Sequence, residues 1–401
     1  MTRVDALTAA LLGAFVLQSA LASGQESNIV PVAGVNALAP KGWSLTPSLT
    51  YGAGWDDNVL IRGNADGPAA AFVNVINPRA AVELNGRRGQ ISASYDGAFA
   101  LYRDFHALNS YDQRATFSGR RLLSPHVSIF AQNTAAAVPT TELSQFIAVP
   151  FLRIGSRLDD TRAGVEAALS KHTSISVSYD FQWVQFDLSQ PGSDALLGGH
   201  SHGASLTLKH ARTERFTLTA DSDVQHASIG NGETFDVQNA RAGGDYKLSD
   251  LTHVFGEAGI SRLGGTRSSS ARIGPAWRLG LARQFRAASV DLLYNRSFVP
   301  SYGFGGTTQN EEAAARVRVP FGRRLYSTSA LSWRRNDPLT SGELPLRSYW
   351  AEGTLGYAAS PWVHLELFFA ATRQTIDRPG GTLDRNRIGF QVTTAKPVRI
   401  Q

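Results

Sequence analysis

Between Trp43 and Trp55 the chain alternates without a break. Trp43, Leu45, Pro47, Leu49, Tyr51, Ala53 and Trp55 form an apolar set, and the residues between them, Ser44, Thr46, Ser48, Thr50, Gly52 and Gly54, are small or hydroxylated. A period of two is the side-chain period of a strand. At about 3.3 Å per residue the segment reaches roughly 43 Å. Tilted by about 40°, such a strand crosses a bilayer with a Trp near each interface. In lipid every backbone N–H and C=O must pair within the protein, so a sheet built from such strands can have no edge. The fold expected from this feature is a closed barrel.

The alternation recurs along the chain. Phe72, Ile76, Pro78, Ala80, Val82 and Leu84, interrupted by Asn74, lead into the tight turn Asn85-Gly86-Arg87-Arg88-Gly89. Ile91, Ala93, Tyr95, Gly97, Phe99 and Leu101 lead out of it, which is a hairpin with a Gly-rich turn. The same unit is repeated around Ser170-Lys171-His172, Ala211 to Glu214, Ser249-Asp250, Arg283-Gln284, Pro320-Phe321-Gly322 and Ala359-Ser360-Pro361. About eighteen strands result, within the range of membrane barrels.

The connections sort by length. Even strands are followed by turns of a few residues. Odd strands are followed by longer polar loops, such as Asp187 to Gly199, Arg262 to Ser270, Ser301 to Asn310 and Arg334 to Leu344. Long loops at one rim and short turns at the other distinguish an outer-membrane barrel, and an even strand number puts both termini at the short-turn, periplasmic rim. Trp43, Trp55, Trp183, Trp333, Trp350 and Trp362 fall near expected strand ends, and only Trp277 falls mid-strand. That placement suits indole rings at a membrane interface.

The opposite faces of these strands carry Asp180, Gln182, Asp221, Asp223, Arg272, Arg278, Arg316, Arg318 and Glu366. They are the expected lumen lining, and eighteen strands leave a lumen wide enough for water. Tyr102, Phe130 and Phe186 fall on the same register. They are read either as stacking platforms for sugars or as ordinary strand-end aromatics. The loop from Pro139 to Asp159 is expected to close part of the outer mouth.

Composition agrees with this reading. Hydrophobic residues make up 42% of 401 residues, and the mean hydropathy is −0.16. Beyond the N-terminus no apolar run of about 20 residues exists, as a transmembrane helix would need. A barrel hides its apolar residues at alternate positions instead. Arg3, the apolar run Ala6 to Leu17 and Ala20-Leu21-Ala22 make residues 1–22 an expected signal peptide, with cleavage before Ser23. Residues 23–42, with Pro31, Gly34, Pro40 and Gly42, are expected to form a periplasmic segment, and residues 43–401 the barrel. There is no cysteine, so closed hydrogen bonding replaces disulfides as the source of stability. The net charge is +6, and Lys41, Lys171, Lys209, Lys247 and Lys396 are the only lysines. No basic run, zinc-finger spacing or RNA-binding signature points to nucleic acid.

Three motifs bear on chemistry. Gly199-His200-Ser201-His202-Gly203 matches G-x-S-x-G, but the nucleophile elbow needs a helix after it, and Ala204, Leu206 and Leu208 continue as a strand. No catalytic residue is expected. His200 and His202 could share a face, yet two histidines without further ligands read as solvated residues rather than a metal site. Asp56-Asp57-Asn58, just past Trp55, reads as a turn in which Asp and Asn bond nearby backbone, with cation binding as the alternative. No metal and no cofactor are expected.

Leu45-Thr46-Pro47-Ser48-Leu49-Thr50-Tyr51, followed by Trp55-Asp56-Asp57-Asn58-Val59 and Arg62, resembles the start of outer-membrane β-barrel porin families often associated with exopolysaccharide systems. In those families a "YDDNV…R"-like segment follows strand one and hairpins fill the remainder. Here Trp55 replaces the more usual Tyr or Phe, and the C-terminus Val398-Arg399-Ile400-Gln401 lacks the usual terminal aromatic. The resemblance implies an outer-membrane channel for exported polysaccharide, with the bilayer, the polysaccharide and periplasmic export components as partners. The alternatives are a general diffusion porin for small polar solutes and a structural or adhesive barrel with a closed lumen.

Overall fold

The computed structural model describes residues 42–141, 151–187, 196–230, 232–264, 270–303, 306–339, 344–376 and 381–400. The expected signal peptide and nearly all of the expected periplasmic segment lie outside the described residues. The first third of the wall comprises β1 (Gly42–Asp56), β2 (Ala71–Asn85), β3 (Gly89–Tyr102), β4 (Ser110–Ser124), β5 (Val127–Val138) and β6 (Ser156–Ala168). Next come β7 (Thr173–Phe186), β8 (Gly199–Ala211), β9 (Phe216–Ile229), β10 (Thr234–Ser249), β11 (Thr252–Leu263) and β12 (Arg272–Phe285). The last third is β13 (Ala288–Pro300), β14 (Thr307–Phe321), β15 (Leu325–Pro338), β16 (Leu346–Ser360), β17 (Val363–Ile376) and β18 (Thr382–Ala395).

Each strand pairs antiparallel with its chain neighbours, and β18 returns to β1, with Ser48 to Asp56 opposite Ala395 to Arg387. The sheet is a closed eighteen-strand barrel. Pro397 has no N–H to donate, so it interrupts the ladder. A short β19 (Val398–Ile400) then resumes the last strand against Trp43 to Leu45.

The alternation does what its period requires. Trp43, Leu49, Tyr51 and Trp55 on β1, and Leu365, Leu367 and Phe369 on β17, stand exposed on the outer surface. Asn74, the polar interruption in β2, also points outward, and it accepts a hydrogen bond from the Tyr51 hydroxyl at 2.9 Å. A continuous exposed apolar belt of this kind suits contact with lipid rather than water.

The loops are shorter than the sequence suggests. β6 begins at Ser156, within the expected loop Pro139 to Asp159; β11 runs to Leu263, β14 begins at Thr307, and β15 runs to Pro338. Hydrogen-bonded pairing continues past the point where the outward residues stop being apolar. Polar outward residues such as Asp159, Asp236 and Arg335 therefore sit on strands. The hydropathy pattern marks the apolar belt and not the ends of the ladder.

Two tryptophans depart from the strand-end reading. β15 extends five residues beyond Trp333. Trp350, the fifth residue of β16, lies between Tyr349 and Ala351, which share the outward row with Leu331 and Trp333. Its position is therefore on the inward face. Trp362 lies in the turn between β16 and β17, with the Lys396 ammonium 5.0 Å from its ring centre.

Candidate functional site: the lumen and its mouth

Cross-strand register places every expected lumen residue on the inward face. Asp180 and Gln182 stand on β7, Asp221 and Asp223 on β9, Arg272 and Arg278 on β12, Arg316 and Arg318 on β14, and Glu366 on β17. The three aspartates thus occupy one part of the wall, and the four arginines with Glu366 another. The structure also supplies counter-charges that the sequence reading did not pair. Arg241 on β10 binds Asp221 at 2.7 Å and lies 3.6 Å from Asp223, which also accepts from Asn239 at 2.7 Å. Arg162 on β6 lies 3.3 Å from Asp180. Gln225 bridges Gln182 and Ser201 at 3.4 and 2.8 Å.

On the other part of the wall Arg316 faces Asp291 in the ladder, and Arg318 faces Ser289. The Arg278 guanidinium sits 5.7 Å from the centre of the Phe255 ring. Glu366 accepts from the Tyr326 hydroxyl at 2.5 Å and from the Gln391 amide. Arg272 is exposed at the long-loop end, opposite Leu263. The expected arginine and acid positions are brought to one lumen, but they do not converge on one point.

The three inward aromatics differ in what covers them. Tyr102 is buried beneath Arg153, whose guanidinium carbon lies 4.8 Å from the ring centre. Phe186 is buried in an apolar cluster. Phe130 crosses the face of Gly164, where an added Cβ would come within 2.7 Å of the ring. Of the three, only Phe130 keeps a partly exposed ring, so the sugar-stacking reading rests on that residue.

The mouth carries the feature that sequence reasoning missed. At the long-loop end the inward face turns apolar, and Val138, Leu158, Val184, Ile229, Phe235 and Leu263 are buried together. Ile154, Leu196, Tyr302 and Leu339, from the connecting segments, fold in against them. A signal for this was present: at these strand ends the alternation inverts, with Asp159, Asp236 and Arg262 outward and Leu158, Phe235 and Leu263 inward. Burial pushes the Tyr302 hydroxyl, outside the strands, up to about 12.

Main-chain bonds hold the infolded segments. Leu197, between β7 and β8, and Gly303, between β13 and β14, exchange two backbone hydrogen bonds of 2.5 and 3.0 Å. Four strands, β9 to β12, separate the two hairpins, so this bridge spans part of the opening. The segment before β6 is tied to two other parts of the rim. Phe151 N–H donates to Gln374 on β17 at 2.8 Å. Arg153 donates to the Val59 and Leu108 carbonyls, each at 2.8 Å, and to the Tyr102 hydroxyl at 3.3 Å.

Asp56-Asp57-Asn58 is a turn, and it is also the closing seam. Asn58 N–H donates to Asp56 at 3.0 Å, and the Asn58 side chain bonds both N–H and C=O of Arg62. The remaining bonds go to β18. Arg385 grips Asp56 in a two-pronged pair, Asn386 donates twice to Asp57 at 2.7 Å, and Asn58 donates to the Asp384 carbonyl at 3.0 Å. The oxygens a cation would need are engaged by these donors.

His200 and His202 project from the outer face of β8, where Tyr179 bonds His202 at 2.5 Å. Among the described residues no group of three His, Asp or Glu side chains is arranged to hold a metal. The G-x-S-x-G segment lies in β8 with no helix after it.

No protein-family model and no curated protein matches the chain. Solved barrels resemble it distantly. OccAB3 of Acinetobacter baumannii is 11% identical, with a TM-score of 0.48, over 88% of this chain and 99% of that one. The outer membrane protein OpdK of Pseudomonas aeruginosa is 9% identical, with a TM-score of 0.46, over 88% and 99%. The siderophore receptor PirA of the same organism is 9% identical, with a TM-score of 0.43, over 89% and 80%. Likeness at this distance assigns no substrate to the chain.

Proposed function

We propose that this protein is an outer-membrane channel for small polar solutes. The observation that carries the reading is the combination of an apolar outer belt with an inner wall of paired charges and amides. The belt meets lipid, and the wall supports a hydrated path whose paired charges and amides favour polar solutes. In this reading the long loops face outside and the short turns face the periplasm. The infolded segments narrow the outer mouth. A lumen crossed by the Leu197–Gly303 bridge suits small solutes better than a threading polymer. The exopolysaccharide association implied by residues 45 to 62 finds no support among the matches.

Planar bilayer recording of the purified protein tests the reading. Discrete conductance steps are expected, together with solute-size-dependent swelling of loaded liposomes. A folded, inserted protein that never conducts would replace the channel with a closed structural barrel. Loss of surface polysaccharide on gene deletion, with solute uptake intact, would restore the export reading.

A further inference from the structure

Five of the eight short turns carry exposed cations. Arg87 and Arg88 form the β2–β3 turn with Gly86, and Arg323 and Arg324 form the β14–β15 turn with Gly322. Lys171, Arg212, Arg215 and Arg286 occupy three others, and all eight cations are exposed. Against these stand only Glu214 and Asp250, and Asp250 is held by Lys247 at 2.8 Å. Lys247 keeps the Asp250 carboxyl below the usual carboxylate range, through a hydrogen bond and charge attraction.

The opposite rim is built differently. Three outward arginines there have carboxylates beside them: Arg296 with Glu311 at 3.1 Å, Arg335 with Asp337 at 2.8 Å and Arg373 with Asp384 at 2.6 Å. In the short turns, by contrast, eight exposed cations stand against two acids. A second feature accompanies it. Next to the cations stand exposed apolar side chains: Leu169 beside Lys171, Phe285 beside Arg286, Phe321 beside Arg323, and Leu248 and Leu251 beside Lys247. Apolar groups that reach toward acyl chains next to cations at phosphate depth are the chemistry of a lipid headgroup contact.

We propose that the short-turn rim binds the phosphates of anionic phospholipids, holding them as a ring in the leaflet it meets. The cations lie on turns distributed around the circumference, as the headgroup layer is. A protein docking from one side would call for a one-sided patch. This assignment rests on the membrane reading above, and its test separates the two.

The full-length protein is folded into nanodiscs of phosphatidylcholine containing a minor share of phosphatidylglycerol with the same acyl chains. The lipid retained on mild delipidation is then counted by native mass spectrometry. Phosphatidylglycerol should be retained severalfold over its share, and the preference should fade at 1 M salt, where the screening length is about 3 Å. R87Q/R88Q/R323Q/R324Q should cut the enrichment at least fivefold, about the contribution of a single surface Arg. Unaltered circular dichroism and heat-dependent gel mobility establish that this variant folds. R286Q provides a second, milder variant.

Equal retention of the two lipids by the wild type, or undiminished enrichment in the quadruple variant, overturns the proposal. If the variant keeps its lipid and loses binding to polyglutamate, the rim belongs to an acidic protein partner and the lipid assignment fails. Failure of the wild type to insert into pure phosphatidylcholine bilayers would instead overturn the membrane reading.

Discussion

Asp56 and Arg385 stand 329 residues apart in sequence and meet in a buried two-pronged ion pair, with contacts of 2.5 and 3.1 Å. Asp56 ends β1 and Arg385 is near the start of β18, so the pair locks the one strand junction that joins the two ends of the chain. Hairpin formation brings each of the other neighbours together over a short loop. This junction must be closed over the whole chain, at a higher loop entropy. Bidentate geometry gives it register as well as attraction.

Breaking the pair should therefore cost more than an ordinary surface change. Arg385→Ala leaves a buried carboxylate without its counter-charge, a loss of roughly 3–5 kcal/mol. The expected outcome is a lower urea midpoint for unfolding in detergent or bilayers. D56A/R385A should lose less than the two single variants added together, because the two groups act as one. Replacing Asp56, Asp57 and Asn58 together by Ala without any change in folding would remove the turn-and-seam assignment.

The mouth should open when its bridge is strained. Gly303 has φ +95°, a left-handed conformation that an L side chain rarely takes. Gly303→Val should destabilise the Leu197–Gly303 bridge by about 1–2 kcal/mol. Larger or more frequently open conductance steps are expected in bilayer recordings. An unchanged conductance histogram would show that the bridge does not limit the path.

Alkaline pH should have the same effect through Tyr302. With the mouth closed, burial holds this phenol near 12. Exposed by an open mouth, it would titrate near its ordinary value of about 10. A raised value means the stabilisation is complete below pH 10 and is lost as pH rises toward 12. Open probability should climb across that window, and Tyr302→Phe should flatten the climb. A Phe variant with the wild-type profile would assign the titration elsewhere.

Ion selectivity should follow the wall charges. R316Q/R318Q removes two cations from the lumen while Asp221 and Asp223 keep theirs in Arg241. The potassium-to-chloride permeability ratio, read from reversal potentials in a salt gradient, should rise about twofold, equivalent to roughly 0.4 kcal/mol. An unchanged ratio would mean that these arginines do not face the conducting path.

The sequence by itself determined the architecture. A strand's period is two and lipid leaves no backbone group unpaired, so repeated alternation with sorted turns specified a closed barrel of about eighteen strands. The same parity put Asp180, Asp221, Arg278, Arg316 and Glu366 on the inner face. Carried through β16, where Leu355 and Tyr357 are outward, the same parity implies an inward Trp350, which the reading of that residue as an interface tryptophan overlooked. Local patterns cannot show which distant groups meet. Arg153 with Tyr102, and Asp56 with Arg385, are set by the infolding of loops and the register of closure, and no spacing in the chain encodes them; Arg241 meets Asp221 through the register of the β9–β10 hairpin. The tertiary structure alone decided that Asp56-Asp57-Asn58 latches the seam. It also decided that the apolar residues at the inner strand ends, where alternation inverts, pack against one another at the mouth.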